Sequence, residues 1–226
     1  VQELTSDQLF SNDRLWTNLP ASCFMQTRSW LKNAWDHYHR LQPGVAQCSL
    51  RGLVVSKHDG EFAGNSVWFR QAYQDISWWR LVGCGAICSD YVEMLCRAEV
   101  EQQVAVETAQ WLHAQPRKFL GFPSAIEIDG HRSDSPQWLT FFDVLRSKGW
   151  SLDSVPIEGT WCLNLPDDWH AYELLLHKSH RRKARRAIKI LENGIVQHRI
   201  YRKPGEIELQ WPEFVRIHQK RRQQLG

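Results

Sequence analysis

Asp59-Gly60 does most to restrict the fold, because it separates two apolar stretches, Cys48 to Ser56 and Glu61 to Ala72. An Asp-Gly pair supplies the positive φ angles of a tight turn, so these stretches are expected to pair as an antiparallel hairpin. Ile76 to Val82 reads as a third strand and extends the hairpin into a meander. Ahead of it, Trp30, Leu31, Ala34, Trp35 and Tyr38 recur on one face of a helix, with Ser29 as its cap and Pro43-Gly44 as its stop.

Downstream, Gly83 to Tyr91 reads as a loop, followed by a helix from about Ala98 to Gln115 whose Val100, Val104, Ala105, Thr108, Trp111 and Leu112 face inward. Phe119 to Ile128 is expected to form a strand interrupted by Pro123. Ser135-Pro136 opens a helix that runs to Lys148 and ends at Gly149. Trp150 to Pro156 and Thr160 to Leu165 read as two further strands. The sum is an α/β layer in which helices cover a mixed sheet.

Charge is segregated along the chain. Residues 1–176 carry 14 basic and 21 acidic side chains, whereas residues 177–226 carry 14 basic and 4 acidic. Asp167-Asp168 caps a helix, Trp169 to Leu176, that is expected to run on through Lys178, Arg181, Arg182, Arg185, Arg186 and Lys189 to a stop at Asn193-Gly194. On one helix those six cations form a stripe, opposite Ala184, Ala187, Ile188 and Leu191. Such a stripe suits a phosphate-bearing partner: a nucleotide cofactor, an RNA such as tRNA, or another anionic polymer. Ile195 to Arg202 then alternates like a strand, Pro204-Gly205 turns, and Trp211 to Leu225 begins a helix.

Several classes are set aside by composition. Six cysteines (Cys23, Cys48, Cys84, Cys88, Cys96, Cys162) show no CxxC or Cys/His spacing of a zinc site, so they read as small buried hydrophobes and no metal is expected. The 12 tryptophans are spread over nearly every element, which assigns most of them to core and rim. No apolar run reaches the roughly 20 residues of a membrane helix and no signal peptide opens the chain, so a cytoplasmic protein is expected. A sequence that opens on Val1 and ends on Gly226 within a helical pattern reads as a fragment.

Four stretches resemble the GNAT acyltransferases, in particular the tandem branch holding FemAB-type aminoacyltransferases and CelD/BcsL-type acetyltransferases associated with exopolysaccharide synthesis. They are Phe24 to Trp30, Ser89-Asp90-Tyr91, Lys178 to Glu192, and Phe214 to Arg221. The resemblance implies a first GNAT-like unit over residues 1–165, with a connecting basic helix and the truncated start of a second unit over 166–226. It further implies N-acyl transfer from acetyl-CoA or another acyl-CoA to an amine-bearing acceptor, with aminoacyl-tRNA as the less favoured donor. In such enzymes backbone amides of a strand-to-helix loop hold the donor's pyrophosphate. Here Arg80 to Gly85 fits by count, which makes Gly83 and Gly85 the cofactor-binding candidates.

Direct acyl transfer needs a deprotonated amine, a positioned thioester and a stabilised oxyanion. Asp90 is the candidate to bind or deprotonate the amine, and Tyr91 to donate a proton. Lys178, Arg181, Arg182 and Arg185 are the candidate phosphate contacts, and His218 is a further possible proton carrier. No Gly-x-Ser-x-Gly nucleophile motif occurs. A non-catalytic module that binds RNA or an anionic polymer through the basic helix is the alternative. The segment after Gly194 is expected to lack a sheet to join, and the chain to be inactive by itself.

Overall fold

The computed structural model describes residues 1–17, 19, 24–42, 50–87, 89–119, 121–156 and 163–225. The chain divides into two units, Val1–Val155 and Pro156–Gly226. The strand expected over residues 150–156 does not form, and residues 163–165 form none either. The expected strand over 160–165 otherwise lies outside the described residues.

The first unit begins with β1 (Gln2–Leu4), α1 (Ser6–Ser11) and α2 (Arg28–His37). Thr27 rather than Ser29 caps α2, its side chain accepting from the Trp30 amide. The meander is β2 (Arg51–Ser56), β3 (Phe62–Tyr73) and β4 (Ile76–Leu81). At its first turn Gly60 has φ 84° and donates to the Lys57 carbonyl at 3.0 Å, whereas Asp59 keeps an ordinary negative φ, so the glycine alone supplies the left-handed step. The second turn is made by Gln74 and Asp75 with φ 51° and 61°, the two positive values of a type I′ turn without a glycine.

Beyond β4 come β5 (Leu95–Cys96), α3 (Glu101–Ala114), β6 (Lys118–Phe119), β7 (Phe122–Glu127) and α4 (Pro136–Ser147). The sheet runs β1-β2-β3-β4-β7-β6, antiparallel except for the parallel β4/β7 pair, while β5 pairs separately with β3. The fold is thus a mixed sheet flanked by helices. Every residue of β3 from Ala63 to Gln71 is buried, because both faces of the strand are covered. Trp68 packs with Trp79, Leu81, Trp138 and Phe141 under α3 and α4. On the opposite face Val67 and Phe69 meet Leu9, Leu31 and Trp35 of α1 and α2.

In the second unit α5 (Trp169–Leu175) is capped by Asp168, whose Oδ1 accepts from the Ala171 amide at 2.8 Å. The helix does not continue into the basic stripe. It stops at Leu176, and α6 (Lys178–Glu192) starts afresh behind a His177 cap. α7 (Pro204–Leu225) begins at Pro204, seven residues earlier than expected, and carries Pro212 within it. Residues 195–202 form no strand and lie exposed, there being no sheet among the described residues of this unit for them to join. Trp211, Phe214 and Ile217 of α7 are likewise exposed, as an unjoined segment requires.

Candidate functional site

β3 has two different neighbours along one edge. β4 pairs with residues 68–73 and ends with the Val82 amide donating to the Val67 carbonyl at 2.9 Å, whereas β5 takes Gly64 and Asn65. A cleft lies where β4 leaves this edge and β5 joins it. Its floor is formed by Asn65, Val67, Leu81 and Leu95, one wall by Met25, Gln26 and Leu31, and the other by Ser89, Asp90, Val92 and Glu93. The cleft is open at its mouth and has a volume of about 20 Å³. That is room for one water-sized group.

The wall from Ser89 to Met94 is fastened at almost every residue. Trp30 Nε1 donates to Ser89 Oγ at 2.9 Å, and Gln26 Nε2 donates to the Tyr91 carbonyl. The Val92 amide donates to the Gly130 carbonyl at 3.1 Å, and its own carbonyl accepts from Trp138 Nε1 at 2.8 Å. Gln137 receives the Met94 amide on Oε1 and donates to the Met94 carbonyl through Nε2, at 2.8 and 3.0 Å. Two of the four stretches that carry the family resemblance, Phe24 to Trp30 and Ser89 to Tyr91, therefore meet at this cleft.

Asp90 lines the cleft and is exposed. Tyr91 takes part through its backbone: φ is 56°, its carbonyl is held by Gln26, and it is not one of the lining residues. A bulky residue at positive φ is held there against its own preference. The proton-donor role expected of Tyr91 is therefore not placed at the cleft by this arrangement.

Gly83 and Gly85 both adopt positive φ, 107° and 79°, and form the loop after β4. Their amides, however, are already engaged. Gly83 N–H donates to His39 Nε2 at 3.0 Å, and Gly85 N–H donates to the two Asp129 carboxylate oxygens at 3.0 and 2.9 Å. A pyrophosphate on these amides would have to displace an imidazole and a carboxylate, the second of which repels it. This is the main departure from the expected donor loop.

His39 is buried, and its ring lies against Phe69 with centroids 4.3 Å apart. An imidazole that accepts through Nε2 carries its proton on Nδ1, and Nδ1 has no partner among the described residues. Burial first, and the nearby Arg80 cation second, push the His39 pKa down to about 4 from 6.5, against a smaller opposing pull from Asp129. A depressed histidine contributes stability that is complete above the unfolded pKa and lost as pH falls toward the folded one. Between pH 6.5 and 4 this loss is about 3 kcal/mol. Thermal melts across this window should therefore fall steeply for the native chain. They should fall less for His39→Gln, whose amide oxygen can still accept from Gly83; equal slopes would remove His39 as the cause.

The basic candidates divide in two. Arg181 turns back onto its own elbow, donating to the Leu174 and Leu176 carbonyls at 3.4 and 3.2 Å. Arg185 forms a two-pronged pair with Glu173, at 2.6 and 3.1 Å, which lowers the Glu173 pKa through that hydrogen bond. Lys178, Arg182, Lys183, Arg186 and Lys189 are exposed and form no ion pair among the described residues. The face expected to pack is not buried either, since no residue of α6 is. His218 stacks on Phe214 along α7, with centroids 6.2 Å apart.

Cys84 is buried and Cys96 half-buried, both free, and burial raises both pKa values, that of Cys96 to about 12. The other four cysteines lie outside the described residues. Among the described residues no group of three or more His, Cys, Asp or Glu side chains is placed to hold a metal, and no helix is long and apolar enough to cross a membrane. Sequence reasoning missed Asn65 and Glu93 in the cleft and His39 and Asp129 behind it. Only Asn65 left a visible sign, as an amide inside the strand Phe62 to Phe69. Compared with protein-family models, curated proteins and solved structures, the chain matches none.

Proposed function

We propose that the protein is a cytoplasmic N-acyltransferase that moves an acyl group from acyl-CoA to an amine-bearing acceptor. The observation that carries this reading is the cleft at the break between β4 and β5, where Asp90 stands beside a floor of Asn65, Val67, Leu81 and Leu95. The amine nitrogen attacks the thioester carbonyl, forming the C–N bond as the C–S bond breaks. Asp90 takes the proton that the amine gives up, and the departing CoA thiolate takes one from water.

The exposed cations of α6 offer phosphates a surface of their own. Arg182 and Arg186, four residues apart on one face, are the natural pair. Titration of acetyl-CoA into the full chain should show binding that Arg182→Ala with Arg186→Ala weakens about tenfold, the loss of roughly 1.4 kcal/mol. Arg181→Ala with Arg185→Ala should instead lower thermal stability, because those two side chains hold the α5–α6 elbow. A folded chain that binds no acetyl-CoA would refute the reading.

The same five unpaired cations favour one second reading, a non-catalytic surface for RNA or another anionic polymer. Each phosphate neutralised on a single strand steepens the fall of log K with log salt by about 0.7. Single-stranded RNA binding with a slope of about −3.5, in a chain that ignores acetyl-CoA, would establish this alternative; tRNA as an aminoacyl donor would require both activities together.

A further inference from the structure

The 24 residues from Trp169 to Glu192 contain no proline or glycine, so nothing in their local chemistry forbids one continuous helix. The helix is nevertheless broken at two of them, Leu176 with ψ 139° and His177 with ψ 146°. A break without a local cause is held by contacts.

Those contacts are few and polar. Glu173 is the one buried residue of α5, α6 buries none, and Leu174 and Leu175 stand exposed. Among the described residues no apolar cluster secures the elbow. What secures it is the two-pronged pair of Arg185 with Glu173, at 2.6 and 3.1 Å, together with Arg181 on the Leu174 and Leu176 carbonyls. These contacts need the bend: Glu173 and Arg185 are 12 residues apart, and one straight helix would set them roughly 18 Å apart along its axis.

Straightening has its own return. The Lys178, Ser179 and His180 amides open α6, where the Ser179 amide has His177 Nδ1 at 3.4 Å as its acceptor, a long and weak cap. In a continuous helix these three amides would donate to the Leu174, Leu175 and Leu176 carbonyls. The balance therefore turns on whether Glu173 keeps Arg185. The Arg185 side chain is 60% exposed, so an anion in solution can reach it. A guanidinium edge that fits a carboxylate fits a phosphate as well.

We propose that the α5–α6 elbow is a phosphate-released clasp: a phosphate-bearing ligand on α6 takes Arg185 from Glu173, and the two helices join into one. Glu173 is then an internal stand-in for the ligand and keeps the basic surface partly closed in its absence. The ligand favours the straight form because there it gains Arg181 and Arg185 beside Lys178, Arg182, Arg186 and Lys189. The inference rests on α6 receiving phosphate and is independent of acyl transfer at the cleft.

The test follows the Cα chemical shifts of Leu176 and His177 in the 226-residue chain, with dodecauridylate and CoA as separate phosphate probes. Both residues should report extended backbone in the free chain and move to helical values as dodecauridylate saturates it. The same change with CoA marks a cofactor as a sufficient source, whereas a response to dodecauridylate alone marks a polymer. Glu173→Gln keeps the shape and loses the charge. It should shift both residues part of the way without any ligand and tighten dodecauridylate about fivefold, the lower end of ordinary coupling. Lys178→Pro locks the bend, since proline suits the first helical position, favours an extended residue before it and breaks a continuous helix. Beside Lys178→Ala, which loses the same cation, it should bind dodecauridylate about fivefold more weakly and hold Leu176 and His177 extended. Dodecauridylate that saturates the native chain while both residues stay extended would overturn the clasp and leave phosphate binding in place. Equal affinities of the two Lys178 variants, or no response to Glu173→Gln, would overturn it as well. A chain that binds neither probe would refute the phosphate reading, and the clasp's release with it.

Discussion

Trp138→Ala is expected to destabilise the chain by about 3–5 kcal/mol, the range for deleting a large buried aromatic. Trp138 is 1% exposed, and its ring stacks 6.0 Å from Phe142 and meets Phe141 edge-on at 5.3 Å. It is also the donor that holds the Val92 carbonyl, so the loss reaches beyond the core into the cleft wall. Trp138→Phe separates the two contributions. It keeps most of the packing and gives up the hydrogen bond, for an expected loss of about 1–2 kcal/mol. Urea unfolding measures both, and amide exchange at Val92 should rise in each. A Phe variant as unstable as the Ala variant would mean that the hydrogen bond, and not the ring, carries the energy.

Gly130→Ala is the second large effect. Gly130 has φ 70°, and a Cβ there would run into the Ser89 carbonyl. The backbone conformation alone costs roughly 1–2 kcal/mol for a residue with a side chain. The collision adds to this and must be relieved by moving Ser89, which shares a wall with Asp90. Gly149 provides the control, since its φ is 81° and nothing lies within 4 Å of its Cβ position. Gly130→Ala should therefore exceed Gly149→Ala in unfolding free energy, and it alone should perturb the amides of Ser89 to Val92. Equal costs would show that the Ser89 wall yields freely.

Elements punctuated by local chemistry were legible. Asp59-Gly60 announced its turn, Ser135-Pro136 opened α4, Asp168 capped α5, and Gly194 closed α6 with φ 67°. What failed depended on partners distant in sequence. The stretch 195–202 has the alternation of a strand, but alternation forms a strand only beside another one. The break at Leu176-His177 has no Pro or Gly to mark it, and is held by the His177 cap and by Arg181 on the preceding carbonyls. Gln74-Asp75 adopts a turn usually left to glycine or asparagine, because the Tyr73–Ile76 pairing leaves only two residues to close it.

The candidate site was half legible for the same reason. Asp90 and the Phe24 to Trp30 stretch are on it, and the element order predicted a mixed sheet with flanking helices. Which arginines remain available could not be read from spacing, because Glu173 lies 12 residues from Arg185 and only the elbow between α5 and α6 brings them together. Nor does the Gly-Cys-Gly loop reveal that Asp129, 44 residues on, occupies its amide.

Amine-dependent release of CoA thiol tests the central claim most directly. The protein in its complete form is incubated with acetyl-CoA and n-butylamine at pH 8, and free thiol is followed against N-butylacetamide. The account predicts thiol and amide in equal amounts, with the rate reduced about a hundredfold or more in Asp90→Asn, within the range for loss of a general base. Folded protein that binds acetyl-CoA yet forms no amide, or an Asp90→Asn variant with undiminished rate, would contradict it.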